Sequence, residues 1–589
     1  MGRRTTRVVA VAALLMAACR TEAACTLQNF AQLRLTMNGL VPTVSVKMNG
    51  ADAKFILDSG AFFSVISPGA SLEYKLPTSA APSGFFIEGV GGAADVRLAR
   101  VKAFGVADAV VPNVEFIVGG SEPGTAGVLG QNFLRIADVE YDLASGVARL
   151  MKPVGCGGRS LAYWATAGTP VSEIPLVLRQ SERFHTIGNV ILNGQTVPAT
   201  FDTGAPRTIV SLRAAARAGV TTTTPGVTPE GLSGGLGRRR INVWEGQFAS
   251  IKIGDEEVRN TRLLMGDIGN FDMLIGADFF LSHRVYVANS QNRMYFTYNG
   301  GPIFAVGRND VHLRRIDGSG NALALPAEAS DPTDADGFSR RGAARATLDA
   351  LDGALEDFDK AIALDPKQAR YFAQRAALQL RRKNQDQALG DYASAIALAP
   401  RDPELRIMRA AALLNANQAD AERVDLAEAA RLLAPASNLR LSLATLYNRL
   451  NDPDAEVAQL DLWLPAHPDD SRRSWGLNLR CYARALQGRQ LAQALADCDA
   501  SLRAAHGRSE VLDSRGLVKL RMGRFDDAIV DYDAALAAAP KMAVSLYGRG
   551  LAERKLGRAK QADTDLAAAR AVDPDIDGWA KRYGIAPAG

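Results

Sequence analysis

The chain has 589 residues, 47% of them hydrophobic and 22% charged, with a mean hydropathy close to zero; at about 150 residues per domain it holds about four domain-sized units and is neither globally disordered nor a polytopic membrane protein. Its 68 Lys and Arg against 63 Asp and Glu leave a net charge of +5, and no basic block interleaved with aromatics occurs beyond Arg238-Arg239-Arg240, so no nucleic-acid partner is expected. Five cysteines and five histidines, without a CxxC or HExxH spacing, give a zinc or iron–sulfur centre almost no ligands; no metal or cofactor is expected, and any catalysis has to come from carboxylates, Ser/Thr or Lys.

At the N-terminus Arg3, Arg4 and Arg7 precede an apolar run from Val8 to Ala18, long enough for the core of an export signal and too short to span a bilayer. Residues 1–23 are read as a signal peptide and the protein as exported, to the periplasm or cell envelope; the alternative is a buried N-terminal helix. Met16-Ala17-Ala18-Cys19 resembles a lipobox, which makes Cys19 a lipidation candidate and the only route to a membrane, whereas Thr21-Glu22-Ala23 suits ordinary signal peptidase. Either route leaves Cys25, Cys156, Cys481 and Cys498, an even number in an oxidising compartment.

Residues 41–67 pattern as a strand with alternating apolar positions, an Asn-Gly hairpin turn, a second strand and then Asp58-Ser59-Gly60-Ala61. Residues 185–211 repeat that syntax, ending in Asp202-Thr203-Gly204-Ala205. Downstream, Gly127-Val128-Leu129-Gly130 corresponds to Met273-Leu274-Ile275-Gly276. Between these landmarks lie two glycine-rich segments, Glu88-Gly89-Val90-Gly91-Gly92 and Glu230-Gly231-Leu232-Ser233-Gly234-Gly235. The two aspartates are 144 residues apart and Gly130 and Gly276 are 146 apart, so a tandem duplication explains the pattern.

The doubled Asp-[Ser/Thr]-Gly-Ala motif, the glycine-rich hairpins and the apolar-apolar-Gly segments resemble the retropepsin-like aspartic proteases, with two copies in one chain as in pepsin-type enzymes. The resemblance covers residues 35–155 and 170–305, and implies an all-β pseudo-dimer that hydrolyses peptide bonds in a peptide or protein substrate. Hydrolysis without a metal or a covalent nucleophile needs one group to take a proton from water and another to give one to the carbonyl oxygen. Two carboxylates about 3 Å apart cannot both ionise, so the pair supplies base and acid together. Asp58 and Asp202 are the catalytic candidates. Ser59, Gly60, Thr203 and Gly204 are expected to support them, the hydroxyls by bonding the opposite loop and the glycines by allowing close approach. Gly91, Gly92, Gly234 and Gly235 are flap candidates by the same resemblance, with ordinary hairpin loops as the alternative.

The copies also depart from the family and from each other. Asp272 in the second stands where the first has Ala126, Asn289 where the first has Asp142, and Pro206 stiffens the second loop, which leaves open a non-catalytic envelope scaffold that binds peptides or proteins. Pairing within the chain is the economical arrangement; pairing between chains is the other. A linker is expected over about 153–173, where Cys156 is a disulfide candidate with Cys25, against two free thiols.

From 306 to 337 periodicity fades into a polar, turn-rich linker. Thereafter helix-ending residues fall at Pro366, Pro400, Pro435, Pro468, His506, Pro540 and Pro574, with spacings from 33 to 38. Small residues and one aromatic recur in the first, second and sixth units, as in Gly342, Ala354, Phe358 and Ala361, or Gly516, Ala528, Tyr532 and Ala535, and the middle units are degenerate. This resembles the tetratricopeptide repeat, and implies seven units over 338–589 forming an all-α solenoid whose groove takes a protein partner. Cys481 and Cys498 fall on inward positions of the fifth unit's two helices, placed for a disulfide or for two buried thiols.

Overall fold

The computed structural model describes residues 25–82, 85–120, 124–166, 168–177, 185–235, 240–299, 303–304, 312–316, 322–323, 331–347, 349–416, 418–504 and 509–585. The export segment and Cys19 lie outside the described residues. Among those described, no helix is long and apolar enough to cross a membrane.

Both copies are built on a hairpin closed by Asn-Gly, because a two-residue turn between twisted strands needs positive φ at both positions. Asn49 and Gly50 have φ of 52° and 89°, and Asn193 and Gly194 of 46° and 81°. The hairpins pair Val41–Met48 with Ala51–Leu57 and Ile187–Leu192 with Gln195–Phe201. Each second strand ends at the motif aspartate. Beside it runs a short parallel strand from the apolar-Gly segment, Gly127–Leu129 or Met273–Ile275. That short strand also pairs antiparallel with the strand after the aspartate loop, Val65–Ile66 or Ile209–Ser211. Strands covered on both faces are apolar throughout, which is why Phe55, Leu57, Leu129, Phe201 and Ile275 are all fully buried.

The lobes share one antiparallel sheet. Ser172–Pro175, Arg293–Tyr298 and His283–Ala288 of the second lobe continue into Asp138–Asp142, Val147–Val154 and Thr26–Asn38 of the first. The seam is the pairing of Val139, Glu140 and Tyr141 with Val287, Tyr286 and Val285, so the two copies pair within one chain.

Three boundaries differ from the sequence reading. The first lobe starts at the strand Thr26–Asn38 rather than at 35, since residues 26–34 supply an edge strand paired with Val147–Val154. The connection over 153–173 is not a free tether. Its Leu161 and Ala162 are buried against Tyr286 and Tyr295, Trp164 Nε1 donates to Thr297 at 2.9 Å, and Tyr163 donates to the buried Glu140 at 2.6 Å. Within the 306–337 linker, His312–Ile316 pairs with Glu256–Gly266 and covers that sheet edge, and the first array helix already starts at Ala335. Disulfides join Cys25 to Cys156 and Cys481 to Cys498.

Among the described residues the array is seven helical hairpins, from Ala335–Thr347 with Leu351–Leu364 to Ala543–Lys555 with Ala559–Val572, closed by Ile576–Arg582. Small residues at the crossings let helices approach: a methyl group on Gly342 or Gly516 would press into the Phe358 or Tyr532 ring. At the crossing position held by the fully buried Ala354, Ala388, Ala494, Ala528 and Ala562, the third and fourth hairpins carry buried Glu422 and Glu456. Burial raises both carboxyls, that of Glu456 to about 8. Six hairpins also carry an Arg that forks onto a mostly buried Asp of its own second helix: Arg341–Asp357, Arg375–Asp391, Arg409–Asp425, Arg480–Asp497, Arg515–Asp531 and Arg549–Asp565. The fourth has Leu443 and Gln459 at these places.

Among the described residues, the array meets the first lobe through its first helix and again near its fourth hairpin. Arg340 lies over Gly146 and donates to the Ala144 carbonyl at 3.2 Å. Farther along, Gly69, in the short helix Pro68–Glu73, packs on His467 and the Ala436 carbonyl.

Candidate active site

Each motif aspartate leaves a buried strand and opens a tight turn, in which its Oδ1 accepts backbone hydrogen bonds from two and three residues on. Asp58 accepts from Gly60 at 2.8 Å and Ala61 at 2.7 Å; Asp202 accepts from Gly204 at 2.8 Å and Ala205 at 3.2 Å. The hydroxyls between them cross the lobe boundary reciprocally. Ser59 Oγ accepts from Thr203 N at 2.9 Å and donates to the Phe201 carbonyl at 2.8 Å. Thr203 Oγ1 accepts from Ser59 N at 3.0 Å and donates to the Leu57 carbonyl at 2.6 Å. Ser59 and Thr203 are buried, so these four bonds work away from water.

Gly60 and Gly204 face the opposite carboxyls: a methyl group on Gly60 would overlap the Asp202 carboxyl, and one on Gly204 that of Asp58. The carboxyls, both half-buried, are joined by a side-chain hydrogen bond. Burial raises Asp58 first, and the charge of Asp202 and the bond to it raise it further, well above the usual carboxylate range. Burial also raises Asp202, but the bond from Asp58, the backbone donors and the His185 imidazole hold part of that rise back. Two carboxyls so placed share one proton and titrate as a unit.

Beneath the loops, Gly130 and Gly276 pack on the backbone of 61–63 and 205–207. Ser64 Oγ donates to Asn132 and accepts from Gly130 N; Thr208 Oγ1 donates to Asp278 and accepts from Gly276 N. Asp278 is fully enclosed, and burial pushes its carboxyl to about 6. Gln131 Nε2 donates to the Ser59 carbonyl at 2.6 Å, and the buried Tyr141 hydrogen-bonds the Ser59 side chain from the shared sheet. The sequence reading missed these props; their signal was the matched pairs Ser64–Asn132 and Thr208–Asp278, each 68 or 70 residues apart.

Above the cleft, Phe86–Gly89 and Gly92–Val106 form one hairpin, with Val90 and Gly91 at its tip. Thr228–Ser233 and Ile241–Ile253 form the other, leading to Gly234 and Gly235. Gly235 sits against Val90, and Val90 packs against the second-lobe cluster of Ile209, Ile241, Val243, Ile268 and Leu274. All four flap glycines therefore lie on hairpins that meet between the lobes. Among the described residues no group of three or more His, Cys, Asp or Glu side chains is placed to hold a metal.

Residues 188–279 match the family model described as "Aspartyl protease", and residues 44–136 the one described as "gag-polyprotein putative aspartyl protease". One aspartyl protease model thus matches within each lobe. No curated protein matches the chain. Among solved structures, the chain is similar to the APC/C hetero-tetramer Cut9–Hcn1, with TM-score 0.28, 16% identity, and coverage of 38% of this chain and 43% of that one. It is similar to YrrB, a TPR protein with an unusual peptide-binding site, with TM-score 0.24, 16% identity and coverage of 38% and 94%. A tetratricopeptide repeat protein from Parabacteroides merdae gives 0.26, 17%, 40% and 86%. The chain spans less than half the length of the first of these.

Proposed function

We propose that the tandem units form an aspartic endopeptidase and that the helical array recruits its protein substrate or a partner. The observation that carries this reading is the hydrogen-bonded pair Asp58–Asp202, half-buried and latched by Ser59 and Thr203. The ionised carboxyl takes a proton from a water held between the two, the protonated one donates to the scissile carbonyl oxygen, and the resulting tetrahedral diol collapses to acid and amine. The flaps exclude bulk water, which strengthens each of these interactions.

Because both carboxyls are raised, both limbs of the pH profile lie above the ordinary Asp value of about 3.9. On the acid side Asp202 gains a second proton and loses its role as base; on the alkaline side the shared proton is lost. A bell-shaped kcat/KM with its acid limb below pH 3.5 contradicts this. Asp58→Asn and Asp202→Asn are each expected to lower kcat on a mixed peptide library, assayed from pH 3 to 7, by about 10² to 10⁴ or more. Full activity of either variant, or insensitivity of the wild type to a statine-type inhibitor, overturns the proposal.

Export rests on the basic and apolar pattern of residues 1–23 and agrees with two disulfides. In this reading the protein works in the periplasm or envelope, anchored if Cys19 is lipidated; mass spectrometry of the mature N-terminus decides between the two processing routes.

A further inference from the structure

The two ends of the cleft are chemically different. Gly130 packs on the Ala61 carbonyl and the Phe63 backbone, and Gly276 on the Ala205 carbonyl and the Arg207 backbone, so Phe63 and Arg207 occupy matched positions. The same offset of 144 pairs Phe62 with Pro206 and Val41 with His185. His185 of the second lobe meets Phe62 of the first, with ring centroids 5.7 Å apart. The pseudo-twofold relation places the counterpart of that contact, Val41 with Pro206, at the opposite end.

At the first end five rings form a continuous wall. Phe85 to Phe63 is 5.8 Å, Phe63 to Phe62 4.6 Å, Phe62 to His185 5.7 Å and His185 to Phe271 5.8 Å. At the other end the ring of Phe63 is replaced by the guanidinium of Arg207. Its Nη2 donates to Glu245 Oε1 at 2.6 Å, and Arg262 donates to Glu245 Oε2 at 3.3 Å. Two guanidiniums share one carboxylate there, and both remain about a quarter exposed, at 26% and 27%. The Asp278 carboxyl, buried beneath the loop, also feels the charge of Arg207, and the exposed parts of both guanidiniums are open to a ligand.

We propose that the cleft imposes a direction on its substrate, taking an aromatic side chain against Phe62, Phe63 and His185 at one end and an acidic side chain beside Arg207 at the other. This rests on the two-lobe cleft being a peptide site. An extended peptide lying across Asp58 and Asp202 runs from one wall to the other, so a sequence and its reversal present their side chains to different partners. Ring contact favours an aromatic at the first wall. A charge-assisted hydrogen bond favours Glu over Gln at the second.

The test uses full-length protein and two peptides with the same central apolar dipeptide, one carrying Phe on the N-terminal side and Glu on the C-terminal side, the other reversed. One orientation is expected to be cleaved about tenfold faster, the worth of a single charge-assisted hydrogen bond. Replacing its Glu by Gln, or its Phe by Ala, removes most of the advantage. Arg207→Gln abolishes the Glu-over-Gln preference, and Phe62→Ala the Phe-over-Ala preference; if either variant fails to fold, the peptide substitutions on wild type decide alone. Cleavage of both orientations within twofold overturns the directional proposal and leaves hydrolysis standing. Binding of the same peptides to Asp58→Asn protein by calorimetry separates the two claims: tenfold directional binding without wild-type cleavage removes the hydrolase reading and keeps this one, and equal binding removes this one.

Discussion

Thr203→Val tests the latch that holds the two carboxyls together. Valine keeps the shape of the buried side chain and loses its hydroxyl, so Ser59 N–H, which donates at 3.0 Å, and the Leu57 carbonyl, which accepts at 2.6 Å, lose their partner. Both residues are essentially inaccessible to water, and neither group finds a replacement without the loop moving. Each unsatisfied group costs about 1–3 kcal/mol; not having to bury a hydroxyl returns about 1 kcal/mol. The net expectation is about 1–5 kcal/mol against local opening, a sizeable share of the 5–15 kcal/mol typical of a domain. Native-state hydrogen exchange is the suitable assay because the array supplies an internal control. Amides of 57–61 and 201–205 should lose protection about 5- to 4000-fold, at about 1.4 kcal/mol per tenfold, while amides of 509–572 keep theirs. kcat/KM should fall at least about tenfold as the carboxyls lose alignment. Protection within threefold of wild type, with unchanged kcat/KM, refutes the argument that these crossed bonds hold the site.

Asp58→Asn should stabilise the fold at neutral pH. Burial raises the folded pKa above the unfolded value of about 3.9, so the stability from the protonated group is present below that value and is lost as pH rises through the folded pKa. The variant should melt higher than wild type at pH 7, with the difference vanishing toward pH 3; an equal or lower melting temperature at pH 7 counts against it. Arg409→Met leaves the fully buried Asp425 carboxylate with Arg406 alone at 3.3 Å, and should cost about 3 kcal/mol in urea unfolding followed by helical circular dichroism, whereas Arg409→Met with Asp425→Leu should be nearly neutral. If the double variant loses as much as the single one, the cost is not that of a stranded charge. Loss of Cys481–Cys498, which closes 17 residues, should cost about 3 kcal/mol, and loss of Cys25–Cys156, which closes 131, about 5 kcal/mol. Melting temperatures unaffected by reductant contradict both figures.

Much of the site was legible because its pieces are short and local. Asp58-Ser59-Gly60 and Asp202-Thr203-Gly204 are turns that need a small hydroxyl residue and a glycine, and Asn49-Gly50 and Asn193-Gly194 announce their hairpins through positive φ. Gln131, Tyr141 and His185 were not legible, since each acts on a loop tens of residues away and looks like an ordinary polar or aromatic residue in its own segment. Residues 26–34 and 312–316 escaped the domain boundaries for a related reason. An edge strand is defined by the backbone it pairs with, and its own pattern is weak. The forked Arg–Asp pairs of the array were visible as a spacing of 16 residues in most hairpins, yet nothing local says that the carboxylate is buried.

The sequence by itself determined the scarcity of metal ligands, the duplication, the doubled aspartate motif and the 34-residue rhythm, all of which are matters of composition and short-range periodicity. Only the tertiary structure decided that Asp58 and Asp202 share a hydrogen bond, that aromatic rings crowd one end of the cleft while Arg207 and Arg262 flank the other, and that His467 presses the array onto the first lobe. Those facts depend on groups far apart in sequence meeting in the fold, and burial is what gives the aspartates' charge and proton sharing its strength.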